Sequence, residues 1–234
     1  MTTQDKPLTI DIVSDVVCPW CFIGKRKLEA ALQLPEASQL PPVQIRWHPF
    51  QLNPDLPEAG IPRKQYLEDK FGGPERAAQI YARVGAAGKA VGLDLNFDGI
   101  QRQANTLMAH ALIAYAQDSP LNDADNTLGT AVKERLLNAY FVEGRFIGSL
   151  DVLVDIAVAA GLDGSAVRQH LSDPATRQAV AQADAQARQM GISGVPFFIF
   201  NQKVAVSGAQ DPATLLQAMQ QAVQAVQAVQ AAAG

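Results

Sequence analysis

Leu8-Thr9-Ile10-Asp11-Ile12-Val13-Ser14-Asp15-Val16-Val17-Cys18-Pro19-Trp20-Cys21-Phe22-Ile23-Gly24 is a run in which the hydrophobic period changes from two to about four. Leu8 to Val13 alternates apolar and polar residues and stops at Ser14-Asp15, the pattern of a short strand entering a turn. Beyond it, Leu28, Ala31 and Leu32 recur at helical spacing. Cys18 therefore falls at the N-cap, and Pro19 takes the first helical position, where a missing N–H costs nothing. Cys21 lies one turn on, along the same side of the helix. This spacing brings two sulfurs within bonding reach, the first facing unpaired backbone N–H groups and the positive end of the helix dipole. A thiolate is stabilised there, so Cys18 is expected to titrate well below the free value of about 8.5. Cys21, inside the helix, is expected to be the less exposed of the two.

These are the chain's two cysteines. Half a zinc site is the other common use of Cys-x-x-Cys, but there is no second pair, and His48, His110 and His170 lack metal-ligand spacing. No metal is expected, and a redox dithiol is. A chain of 234 residues, 48% of them hydrophobic, can bury a sizeable core as one large domain or one domain with an insertion. A net charge of −4 and a pI near 5.3 disfavour nucleic acid or an anionic membrane as the main partner. Met1 to Pro7 is polar, and there is no apolar run suited to a signal peptide or a membrane span, so a cytoplasmic location is expected. In that reducing compartment a dithiol is more often catalytic than structural.

The remainder of the chain reads as follows. A first helix is expected from Pro19 to Leu34, with Lys25, Arg26 and Lys27 on its solvent face. Val43 to Trp47 alternates as a second strand, stopped by Pro49, and strand, helix, strand at this separation implies a right-handed βαβ unit with parallel strands. A turn-rich link from Asn53 to Pro62 follows. Strand signals then vanish for over a hundred residues. Helices are expected at Pro74–Val91, around Leu107–Tyr115, at Ala124–Phe141, Asp151–Ala160 and Ser165–Leu171, and from Asp173-Pro174 to Met190. His110 reads as a hydrogen-bonded helix histidine and Asp15 as a turn or capping residue. Gly194-Val195-Pro196 leads into the apolar run Phe197 to Phe200, a central strand with proline at its margin. Asn201-Gln202 turns the chain into a hairpin strand, Lys203–Val206, and Asp211-Pro212 starts a last helix. That helix ends in the low-complexity Ala-Val-Gln repeat of Ala222–Gly234, read as a fraying tail.

The order strand, Cys-x-x-Cys helix, strand, helical insertion, helix, Val-Pro strand, hairpin strand, helix resembles the thioredoxin fold in its DsbA-like form. The finer resemblance is to the FrnE-like branch. It rests on Cys18-Pro19-Trp20-Cys21-Phe22-Ile23-Gly24, Phe50-Gln51-Leu52-Asn53-Pro54-Asp55, Asn105-Thr106 with Ala109-His110, and Gly194-Val195-Pro196-Phe197-Phe198. The resemblance implies an α/β thioredoxin fold, with a mixed four-stranded sheet of strand order 4-3-1-2 and an all-helical insertion. Residues 1–57 and 173–234 would form the thioredoxin-like domain, and 58–172 the insertion. It also implies a cis Val195–Pro196 bond, with Pro196 against the cysteine pair and the Val195 backbone pairing with an extended substrate. Cys18, Cys21 and Pro196 are then the catalytic residues. Pro19, Trp20, Phe22, Asn53 and Val195 are the substrate-binding ones, with Trp20 and Phe22 lining an apolar groove beside Pro196 or, equally, packing in the core.

The implied activity is thiol–disulfide exchange. Cys18 attacks a substrate disulfide as thiolate, and Cys21 resolves the mixed disulfide. Oxidase, isomerase and reductase all run on these same steps. DsbA proteins that oxidise secreted substrates carry a histidine between their cysteines, where this chain has Pro19-Trp20. Lacking that imidazole, the pair is expected to have a reduction potential between about −270 mV for thioredoxin and about −120 mV for DsbA. No bound cofactor is implied. Thiol or disulfide substrates, protein or small molecule, are the implied partners, with glutathione as a candidate co-substrate. A sister branch, the kappa-type glutathione transferases and hydroxychromene carboxylate isomerases, typically has serine at the position of Cys18. It supplies the alternative reading. A non-catalytic holdase, working through an apolar groove near Val195 and Pro196, is a third.

Overall fold

The structure, a computed structural model, describes residues 6–233. Met1–Asp5 of the polar N-terminus and the terminal Gly234 lie outside the described residues. Strand β1 (Leu8–Ser14) leads through a short turn into helix α1 (Pro19–Leu32), and β2 (Val43–Pro49) returns parallel to β1, pairing Leu8 with Val43 and Ser14 with Pro49. Helix α1 stops two residues short of the expected Leu34, because Pro35 opens a 3-10 turn over Pro35–Gln39.

After β2 the chain enters the helical insertion. A two-residue ribbon, β3 (Ile61–Pro62) with β4 (Arg102–Gln103), frames helices α2 (Arg63–Phe71) and α3 (Pro74–Lys89). The sequence gives no strand signal for so short a ribbon, and the polar composition of α2 conceals that helix. Helices α4 (Leu107–Gln117), α5 (Thr127–Phe141), α6 (Leu150–Ala159) and α7 (Gly164–Ser172) complete the insertion. Helix α8 (Pro174–Gln189) starts where Asp173 caps the Ala175 N–H at 2.9 Å. Strands β5 (Phe197–Phe200) and β6 (Val204–Ser207) and helix α9 (Pro212–Ala233) close the fold. The sheet order is β2-β1-β5-β6, with β5 antiparallel to β1 and β6 antiparallel to β5, which is the mixed 4-3-1-2 sheet expected. Asn201 and Gln202 both take left-handed φ values, 49° and 54°, in the hairpin turn.

Alternation along β1 divides its side chains between two cores. Leu8, Ile10 and Ile12 join Phe198 and Phe200 in one large cluster that also takes in Phe22 and Leu28 of α1 and Leu215 and Met219 of α9. The same cluster continues without a break into Leu112, Leu136, Tyr140 and Phe141 of the insertion. Val13 points the other way, into a small cluster with Phe50, Ala187 of α8 and Ile192. The α1–insertion contact is also ionic, and it corrects one expectation. Lys25 does not face solvent but is buried, paired with Glu29 and, at 2.7 Å, with Glu134 of α5. Arg26 pairs with the same Glu134 and is only partly exposed. The two carboxylates, Glu29 of its own helix and Glu134 of α5, are what let a lysine head lie under a neighbouring helix. Among the described residues, no helix is long and apolar enough to cross a membrane.

Candidate active site

Cys18 is the extended residue that precedes α1, with φ −98° and ψ 111°, and Pro19 fills the first helical position. The turn that delivers it is closed by the Cys18 N–H donating to the Asp15 carbonyl at 3.5 Å. The first turn of the helix is tied by the Cys21 N–H donating to the Cys18 carbonyl at 3.0 Å. Both sulfurs are free thiols, and both residues are buried, Cys18 4% exposed and Cys21 2%. The order of exposure is the expected one, although the difference is small. Across from them the Val195–Pro196 bond is cis, and the Cys18 thiol lies 3.7 Å from the Val195 carbonyl, which it reaches as a weak donor. Pro196 is buried beside α1, where Gly24 leaves room for it. A Cβ on Gly24 would stand 2.8 Å from the Pro196 ring.

The two thiols differ sharply in acidity. Cys18 is lowered, first because the Cys21 thiol donates to its anion and then because the N–H groups of Cys21 and Trp20 face it; burial and the Asp15 charge oppose the effect. The N-terminal amides therefore contribute as the sequence implies. The partner thiol contributes more. The sulfur does not complete a capping hydrogen bond, yet its anion gains from the N–H groups that point at it. Burial pushes the Cys21 thiol well up, and the hydrogen bond it gives to Cys18 holds its proton further. One sulfur is set to ionise and the other to keep its proton.

The ground beneath the pair is polar and buried. Asp15, expected in a turn or cap, is fully buried, with its carboxylate accepting the Leu52 N–H at 2.8 Å and facing His110 Nε2 at 3.2 Å. Burial raises the Asp15 acid, but His110, the Leu52 N–H and Lys133 outweigh it and hold the carboxyl below its ordinary value. Lys133 of α5 is itself 0% exposed, donates to Ser14 Oγ at 2.8 Å and stands 5.4 Å from the centre of the Trp47 ring. Burial brings it down to about 8, against the pull of the Cys21, Asp15 and Cys18 charges. Lys133 escapes a reading of charge runs, yet the sequence carries a signal. Leu136, Leu137 and Tyr140 follow it at the spacing of one apolar face, so the lysine stands within the buried stripe.

The segments that carry the resemblance are mostly scaffolding. The Gln51 N–H donates to Asp184 of α8 at 2.6 Å, and Arg188, bonded to Asp184 and to the Gln51 carbonyl, stacks 4.2 Å over Phe50. Asn105 joins Gln51, the Leu56 carbonyl and the Leu107 N–H, so it ties this loop to the start of α4. Among the residues expected to meet substrate, Trp20 is 41% exposed beside Cys18, and Val195 is half-buried against it. Phe22 is a correction. It is 0% exposed, packs on Phe141 at 6.4 Å between ring centres and lies beneath Arg26, so it belongs to the core that α1 shares with α5. Asn53 accepts from Lys70 Nζ of α2 at 3.0 Å, and its amide nitrogen is buried without a partner. Lys70, over the Tyr66 ring, is near enough for the Cys18 charge to act on it.

Residues 9–220 match the family described as the DSBA-like thioredoxin domain. The chain is similar to the uncharacterized protein YwbO of Bacillus subtilis, at 28% identity over 86% of this chain and 90% of that one. A solved structure of a probable DsbA oxidoreductase, SCO1869 from Streptomyces coelicolor, is similar at 31% identity and a TM-score of 0.77, covering 92% of this chain and 89% of that one. The fold is also shared with the cytosolic disulfide reductase DsbM of Pseudomonas aeruginosa, solved with GSH, at a TM-score of 0.60 and 19% identity over 94% of this chain and 98% of that one.

Proposed function

Because the chain belongs to the DSBA-like thioredoxin domain family, we propose that it is a thiol–disulfide oxidoreductase working through the Cys18-Pro19-Trp20-Cys21 dithiol. The observation that carries this reading is the placement of two free thiols one helical turn apart at the start of α1, the first 3.7 Å from the Val195 carbonyl; the opposite displacement of the pair, Cys18 lowered and Cys21 raised, accords with it. In the proposed cycle the Cys18 thiolate attacks one sulfur of a substrate disulfide and the other sulfur leaves as a thiolate. Cys21 then loses its proton and attacks Cys18, closing the Cys18–Cys21 bond and releasing the second substrate sulfur. Two electrons pass from the dithiol to the substrate, and oxidation of a substrate dithiol is the reverse. The Val195 backbone, held against Cys18, and the exposed Trp20 flank the route by which an extended thiol partner reaches the sulfur. We place the chain in the FrnE-like branch on its Cys-Pro-Trp-Cys stretch, and in the cytoplasm with the cytosolic disulfide reductase that shares its fold.

A glutathione-linked reaction is a second reading, favoured by Lys70, which is near enough for the Cys18 charge to act on it. A small anionic thiol fits that cation. Insulin-disulfide reduction measured beside glutathione conjugation separates the two readings. Cys21→Ser is expected to abolish catalytic turnover of disulfides. If glutathione conjugation proceeds and survives that variant while disulfide turnover is absent from the wild type, the transferase reading replaces the proposed one.

A further inference from the structure

Strands β1 and β2 turn alternate residues to the face on which α8 lies: Thr9, Asp11 and Val13 from β1, and Gln44, Arg46 and His48 from β2. Helix α8 reaches this face at its active-site end, with Ala187 against Val13 and with Ala179 and Ala183 beside His48. The other end is left open. There a cavity of about 380 Å³ lies between the sheet face, the outer edge of β2, the 122–126 loop after α4 and Gln202 of the hairpin. That is the size of a small-ligand site, and it shares no lining residue with the dithiol.

The edge of β2 brings an open donor to this cavity. Leu8 donates to the Pro42 carbonyl at 2.8 Å, so the even-numbered residues of β2 bond to β1 and the odd-numbered ones point outward. Side chains, not a strand, close most of the outward groups. Gln117 accepts the Trp47 N–H at 2.7 Å and donates to the Trp47 carbonyl at 3.1 Å, and Asn126 donates to the Ile45 carbonyl at 2.9 Å. The Ile45 N–H is left without a partner among the described residues, where Ile45 lines the cavity.

Two opposite charges flank that donor. Asp11 and Arg46 are register partners on the open face, about 4.8 Å apart across the strands, yet they do not pair with each other. Arg46 touches Asp118 with Nη2 at 3.2 Å, a contact between two exposed side chains that leaves the rest of the guanidinium free. Asp11 meets His48 through Oδ1 at 2.7 Å and keeps Oδ2 for another donor. The amides of Gln44 and Gln202, also on the lining, have no hydrogen-bond partner among the described residues.

We infer that this cavity binds a free α-amino acid with a polar side chain. Its carboxylate accepts from the Ile45 N–H and the Arg46 guanidinium, its ammonium donates to Asp11 Oδ2, and its side chain meets the Gln44 and Gln202 amides. A simple anion would face the Asp11 charge and a simple cation the Arg46 charge, so the pair selects a zwitterion. An extended peptide is the poorer occupant, because Gln117 and Asn126 already fill the places that an added strand would take.

Isothermal titration calorimetry on the reduced full-length protein tests this, with L-glutamine, L-asparagine and L-serine as probes. Saturable binding of at least one of them, at one site per chain, is expected. Blocking either charge of that probe, by N-acetylation or by amidation of its carboxylate, is expected to weaken binding about tenfold or more. The unblocked probe should lose as much on Asp11→Asn and on Arg46→Gln. Insulin-disulfide reduction by these two variants should be unchanged, which shows that they are folded, and Cys18→Ser should bind the probe as the wild type does. Should a variant not fold, the two blocked ligands decide on the wild type alone. No saturable binding of any of the three probes, blocked forms that bind as well as the free one, binding unaltered in both variants, or binding lost in Cys18→Ser each overturns the proposal.

Discussion

Cys18 is almost as buried as Cys21, so its reactivity has to come from acidity and approach rather than from exposure. Its lowered value predicts that iodoacetamide labels Cys18 before Cys21 in the reduced protein, with a rate that rises through a midpoint below that of an ordinary thiol and is flat above it. Peptide mapping across pH checks this, and preferential labelling of Cys21 would reverse the assignment. The same shift has a stability consequence. A group whose folded value is depressed contributes stability that is fully present above its unfolded value and is lost as pH falls through the folded one. Reduced wild type is therefore expected to lose stability relative to reduced Cys18→Ser as the pH is lowered across that window. Lys133 follows the same rule. Its folded value of about 8 lies below the ordinary 10.5, so the wild type gains stability relative to Lys133→Met as pH rises between those values, by up to about 3 kcal/mol. Denaturant titrations of the two reduced proteins at both ends of that range measure it.

Helix α1 serves the site with one face and the core with another, and its residues respond to substitution accordingly. Phe22→Ala empties a fully buried ring position against Phe141 and is expected to cost about 3–5 kcal/mol. Trp20→Ala removes a half-exposed side chain and is expected to cost little stability while lowering the rate toward protein disulfides. Chemical denaturation with insulin-reduction kinetics separates the two effects. Gly24→Ala tests the junction with the Val-Pro loop. The new methyl would meet the rigid Pro196 ring at 2.8 Å and Phe198 at 3.3 Å. The loop must shift, at about 1–3 kcal/mol, and the Val195 carbonyl moves with it. The Cys18 alkylation rate should change in that variant, and an unaltered rate would show that Val195 does not control access to the sulfur.

For the molecule as a whole, the sheet and its helices were legible because local signals agree. Alternation in Leu8–Val13, Pro19 after a cap position, and the apolar run Phe197–Phe200 behind a proline each point to one element. Phe22 and Lys25 were misplaced for a common reason. Helix α1 is covered on its outer side by α5, a contact made more than a hundred residues away, which periodicity within one helix does not report. The buried polar groups were hidden in the same manner. Asp15, His110 and Lys133 come from three separate segments, and only the folded chain shows that they share the space under Cys21. Short elements such as β3, β4 and α2 lack the length for a periodic signal.

The claim on which all of this depends is that Cys18 forms the covalent bond with the substrate and Cys21 breaks it. Mixing Cys21→Ser with a peptide disulfide and weighing the intact protein tests it directly. A stable adduct, one peptide heavier, mapped to Cys18 and absent from Cys18→Ser, is the predicted result; unmodified Cys21→Ser under conditions where the wild type becomes oxidised would contradict it.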